Sequence, residues 1–161
     1  MKIIHMITGG IIAGWLLGHA TLSQAGSYNY DEIAEALAER DAIAGSPMID
    51  RLDQFRLMAE RVGNQCKRKG DAEDTAGGVA AMVVRARQNL EQIGVFVTHY
   101  ELMDMLYSLL GDGQIEWNCS AALAMYVATR EGNPPPAHTH ISAYKLLQEL
   151  RDRGMLEKAS P

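Results

Sequence analysis

Two imidazoles one residue apart, His138-Thr139-His140, follow a run of three prolines, and a pair of histidines in an extended loop can reach the same metal ion. Such a site needs a third or fourth ligand, and His99, Glu101 and Asp104 are the candidates by residue type. No HExxH or CxxC spacing gathers them, and the plainer reading makes Thr139 the cap of a final helix with the histidines covering its end. His99-Tyr100-Glu101 with Asp104 is a second polar group, where a carboxylate near a histidine suits acid–base work. Its three- and four-residue spacing is equally what a solvated helix face offers. Glu116-Trp117 sets an acid against an aromatic wall, with Asp112 as the nearest second carboxylate. GxSxG, GxGxxG and GK[ST] are all absent, so Gly77-Gly78 at a helix start does not make a phosphate loop. The residues assign no catalytic group, no cofactor and no metal.

The cysteines carry more weight. There are two in the whole chain, Cys66 and Cys119. Their chemistry depends on compartment, and the first residues speak to it: Lys2, an apolar run from Ile7 to Leu17, then Ser23-Gln24-Ala25 with small residues where a signal peptidase cuts. That run is about 11 residues, against the ~20 needed to span a bilayer. Residues 1–25 are therefore expected to be a cleaved secretory signal, and the remainder to be periplasmic or secreted without stable membrane insertion. In an oxidising compartment the pair is expected to form a structural Cys66–Cys119 disulfide. The net charge of −5 becomes one unit more negative when Lys2 leaves, and an acidic chain repels phosphate backbones. Nucleic acid is excluded as a partner; another protein is the expected one.

The elements that would position these groups read as helices. Asn29 with Glu32 forms a capping box for a first helix from about Tyr30 to Ala44, stopped by Gly45. Asp31, Glu32, Glu35, Glu39 and Asp41 give it an acidic outward face suited to a basic cleft. Ser46-Pro47 opens a second helix, on which Met48, Leu52, Phe55, Ala59, Val62 and Cys66 fall on one stripe, and Lys67-Arg68-Lys69-Gly70 closes it. A third helix runs from Asp74 or Thr75 to about Ile93; Val79, Met82, Val83, Ala86, Leu90 and Ile93 face inward, and Gly77-Gly78 admits a close backbone. Val95-Phe96-Val97 is too short for a strand and reads as a connector that packs.

Thr98 and Glu101 match a capping box for a fourth helix to about Leu110, with Leu102, Met105, Leu106 and Leu109 inward and Gly111-Asp112-Gly113 at its end. A fifth helix is expected from near Gln114 to about Arg130, presenting Cys119 to the core. Pro134-Pro135-Pro136 cannot be helical. A sixth helix from about His140 to Arg153 buries Ile141, Tyr144, Leu147 and Leu150 before Gly154 stops it. Residues 26–161 thus read as a single all-α bundle of about six helices, clamped by one disulfide.

The stretch VTHYELMDMLYSLLG, followed by CSAALAMYVA, resembles the late helices of small exported helical immunity proteins that neutralise peptidoglycan-degrading amidase toxins. The likeness spans those helices alone, and it implies an inhibitor-like protein that works by contact. Together these features lead to an exported, non-enzymatic protein that binds another envelope protein. Glu32, Glu35, Glu39, His138 and His140 are its candidate partner surface. The alternatives are an envelope metal-dependent hydrolase using His138 and His140 with His99, or a purely structural envelope component.

Overall fold

A segment that is apolar nearly all round has no face to give to water and must be enclosed by other elements. His99–Leu110 is such a segment, with eight of its residues buried, from His99 and Tyr100 through Met103 to Leu110. The computed structural model describes residues 29–45, 51–66, 75–110, 118–131, 135 and 137–156. Its helices are α1 (Tyr30–Ile43), α2 (Leu52–Gln65), α3 (Thr75–Gln92), α4 (His99–Leu110), α5 (Cys119–Arg130) and α6 (His140–Asp152). The described residues contain no strand. α4 lies at the centre and packs against every other helix. The core around it is built from Phe55, Val62, Val83, Leu90, Tyr126, Ala143 and Leu147, all fully enclosed.

Local signals set the helix ends. Asn29 accepts from the Glu32 backbone N–H at 2.8 Å while the Glu32 carboxylate accepts from Asn29 N–H at 3.2 Å, completing the expected capping box. Thr98 and Glu101 do the same for α4, at 3.0 and 2.7 Å. Thr139 caps α6 by accepting from Ser142 N–H at 3.1 Å. Gly45 and Gly154, with φ of 88° and 69°, take the left-handed conformation that ends α1 and α6. α5 begins later than expected: Asn118, not a residue near Gln114, is its cap and accepts from Ala121 N–H at 3.1 Å.

Three packing expectations are corrected. Ile93 lies past the end of α3 and Ile141 in the first turn of α6, beyond the reach of the core, and they are 45% and 64% exposed. The connector splits: Val97 is buried, whereas Phe96 is 79% exposed because its neighbours on both sides turn inward. At Gly78 a Cβ would meet open space, so no backbone approaches at that position; a close approach is found instead at Gly63, where a Cβ would stand 2.5 Å from Tyr30 Cε1. The expected signal segment, the Ser46-Pro47 helix start, the Lys67–Gly70 stop, Asp112 and Glu116-Trp117 fall outside the described residues.

Cys66, the C-terminal cap of α2, is bonded to Cys119, the first residue of α5, with Cα atoms 5.6 Å apart. α2 and α5 do not pack side by side; each rests on α3 and on α4. The disulfide therefore closes a ring of helices around the centre rather than duplicating an existing contact.

Two outcomes are expected. The Cys66→Ser/Cys119→Ser variant releases a cross-link spanning 53 residues, and thermal melting should fall by the equivalent of about 4 kcal/mol on the chain-entropy account; coincident melting curves would remove the staple from the stability of the fold. Gly63→Ala should cost about 1–2 kcal/mol in urea unfolding, because the Tyr30 ring must move off its hydrogen bond to Asn64.

Candidate functional site

The first turn of a helix leaves backbone N–H groups without partners, and in α4 that turn is buried. The chain supplies an anion from elsewhere. Ala34, Leu37, Ala38 and Asp41 recur along the inward face of α1, so the Asp41 carboxylate is delivered to the core at 0% exposure. Its Oδ1 accepts from His99 N–H at 2.9 Å and its Oδ2 from Tyr100 N–H at 3.0 Å. The His99 ring, 1% exposed, also comes 2.6 Å from Oδ1 through Nδ1. With Glu101 N–H donating to Thr98 and Leu102 N–H to the Thr98 carbonyl, every N–H of that turn is paired.

Burial by itself would raise the pKa of Asp41. The hydrogen bonds from the His99 ring and from the His99 and Tyr100 backbone outweigh it and hold the carboxyl below its usual range. Asp41 is thus an ionised carboxylate, an acceptor only, and His99 Nδ1 must carry the proton between them. Two sequence expectations change here. Asp41 is not part of the acidic outer face of α1, and His99 is not on a solvated helix face.

Above this buried pair opens a cleft of about 480 Å³, lined by Asp41, Ala44, Arg51, Arg87, Phe96, Val97, Thr98, Tyr100, Glu101, Asp104 and His140. It draws on α1, α4 and α6, the end of α3 and the residue before α2. Arg51 stands over the Tyr100 ring, 5.5 Å from its centre, and the Tyr100 hydroxyl donates to Gln54 at 2.8 Å. Arg87 is tethered by an Nε–H bond to the Val97 carbonyl at 3.2 Å. On the α6 side, His140 Nδ1 lies 2.9 Å from the Tyr126 hydroxyl, which also accepts from Arg130 at 3.2 Å. Burial lowers the pKa of His140, more than the nearby Glu101 and Asp104 raise it, so the ring is neutral at pH 7. Burial likewise raises that of Tyr126, which remains a phenol.

The sequence candidates are thus dispersed. His140, Glu101 and Asp104 share the cleft; His99 is sealed below it with Asp41, and His138 is exposed on the bend before α6. No group of three His, Cys, Asp or Glu among the described residues can hold a metal ion. On the acidic helix, Glu32 is occupied in its own cap, and Glu35 and Asp31 meet Arg56 of α2 at 2.7 and 3.4 Å. Glu39 remains exposed. Arg51, Arg87 and Phe96 were not singled out by sequence as site residues, because only tertiary packing brings them to one cleft. A second hollow of about 360 Å³ between α3 and α5 is lined, among the described residues, by Arg85 and otherwise mostly by alanine and larger aliphatics.

No family model matches the chain, and neither does any curated protein or solved structure. No helix of the described residues is long and apolar enough to cross a membrane.

The sign of the pH response follows from Asp41. Its folded pKa lies below the unfolded value near 3.8, so its contribution is complete above about pH 5 and is lost as pH falls through the folded value. Asp41→Asn should cost about 3 kcal/mol at pH 7 and flatten the acid limb of a stability–pH curve. An unchanged acid limb would show that other carboxylates carry it.

Proposed function

We propose that this is an exported, non-enzymatic helical protein that acts by binding another protein of the cell envelope, and that the cleft above Asp41 and His99 is its contact surface. The observation that carries the reading is a large aromatic side chain held in water on a polar cleft: Phe96, one of its lining residues, is 79% exposed. An exposed apolar group at a concavity marks an interaction site. Packed helices beneath it suit binding, because little ordering is left to be lost on association.

Three of the groups that an acid–base reaction would use have other work. The imidazole of His99 is enclosed with Asp41, Glu101 holds the cap of α4, and Nδ1 of His140 is engaged by Tyr126. The first helix is a weaker contact surface than its composition implies, since Arg56 answers Asp31 and Glu35 within the chain. The disulfide fits an oxidising compartment.

A photoreactive benzoylphenylalanine in place of Phe96 should cross-link one exported protein in cells, while the same group in place of the exposed Leu57 on α2 should not. Once that protein is identified by mass spectrometry and purified, Phe96→Ser should weaken its binding about tenfold without altering the melting temperature. Equal affinity for wild type and Phe96→Ser would remove the cleft as the contact surface.

A further inference from the structure

We propose that the contact between His140 and Tyr126 is an acid-released latch: while the ring is neutral it holds the first turn of α6 against α5, and protonation frees that turn and opens the α6 wall of the cleft. This device does not depend on what the cleft binds.

The direction of one hydrogen bond carries it. The Tyr126 hydroxyl accepts from an Arg130 guanidinium N–H at 3.2 Å, and its oxygen lies 2.9 Å from His140 Nδ1. Tyr126 is fully buried, and its hydroxyl proton meets no other acceptor among the described residues. The hydroxyl therefore donates to Nδ1, and the neutral ring carries its own proton on Nε2. A proton added at Nδ1 turns a second N–H toward the same oxygen and leaves the buried hydroxyl proton without an acceptor. It also places a second cation beside Arg130. His140 is the first residue of α6, at the positive end of the helix dipole, where a cation is disfavoured.

α6 packs on α4 and α5. From α4, Glu101 and Asp104 face His140 and favour the cation; from α5, Arg130 opposes it, as does burial. Glu101 already accepts from the Thr98 N–H and hydroxyl at 2.7 and 3.1 Å, and Asp104 is exposed, so that water weakens its pull. Asp41, Arg51 and Arg87 line the same cleft. Burial prevails and holds the docked ring below its ordinary pKa, so the released ring binds a proton more tightly. Release is therefore favoured as pH falls below about 6.5.

The turn is lightly held. Within α6, Ala143 and Leu147 are the buried residues, against eight in α4. The other end of α6 keeps separate anchors, an Arg151 N–H bond to the Leu109 carbonyl at 3.2 Å and the buried Leu156 just beyond it, so release begins at His140.

NMR on the full-length oxidised chain tests the latch. Side-chain nitrogen shifts should place the His140 proton on Nε2 at pH 7.5, with a titration midpoint below 6.5. Between pH 7.5 and pH 5, amide protection corrected for intrinsic exchange should fall about tenfold at Ala143 and Tyr144, while Leu106 of α4 stays protected. His140→Asn keeps an acceptor near the Nδ1 position but takes no proton, and should show no fall; His138→Asn should respond as the wild type does. Tyr126→Phe should lose the protection already at pH 7.5. A proton on Nδ1, unchanged protection in the wild type, an equal fall in His140→Asn or a flat response in His138→Asn overturns the proposal. So does equal loss at Leu106, which would make the acid response one of the whole bundle.

Discussion

One carboxylate settles how this bundle can exist. A central helix touched by all the others must bury its first turn, and that turn brings backbone N–H groups that water can no longer reach. Asp41 answers two of them and the ring of His99 as well, from a helix 58 positions earlier in sequence. The negative charge also sits at the positive end of the α4 dipole, where it is favoured. Because α1 donates the cap and α4 receives it, the angle and depth of both helices are fixed together. The cleft is a consequence: Asp41 forms part of its floor, and Thr98, Tyr100 and Glu101, held in that first turn, line it.

Much of this architecture is legible in the sequence. Caps at Asn29, Thr98 and Thr139 and stops at Gly45 and Gly154 are local chemistry, decided within a few residues, and they appear where the pattern puts them. The cysteines are legible for a related reason. Both lie on apolar stripes, so once helices form, both point inward. The start of α5 is misjudged because Asn118 competes as a cap with the helix-forming residues before it.

The buried pair is missed for a different reason, although its signal is present. Asp41 continues the spacing of Ala34, Leu37 and Ala38, and His99 begins the spacing of Leu102, Met103 and Leu106. Each is a polar residue at a core position, which makes sense only if the two find each other. Composition draws attention instead to the acidic exterior of α1 and to the HTH bend, and there the charges are met at home by Arg56 or the two histidines part company. Arg51, Arg87 and Phe96 carry no local mark at all. Their meaning comes from the cleft, where the packing of α1, α3, α4 and α6 brings them together beside the Asp41 cap.

The claim beneath all of this is that Asp41 seals the first turn of α4, and amide hydrogen exchange reads it directly. First-turn amides of an ordinary helix exchange quickly; those of His99 and Tyr100 should instead exchange as slowly as core amides such as Leu106, and should become fast in Asp41→Asn. If His99 and Tyr100 in the wild-type protein exchange as fast as the exposed Phe96, the carboxylate does not hold that turn and the account of the fold and its cleft is wrong.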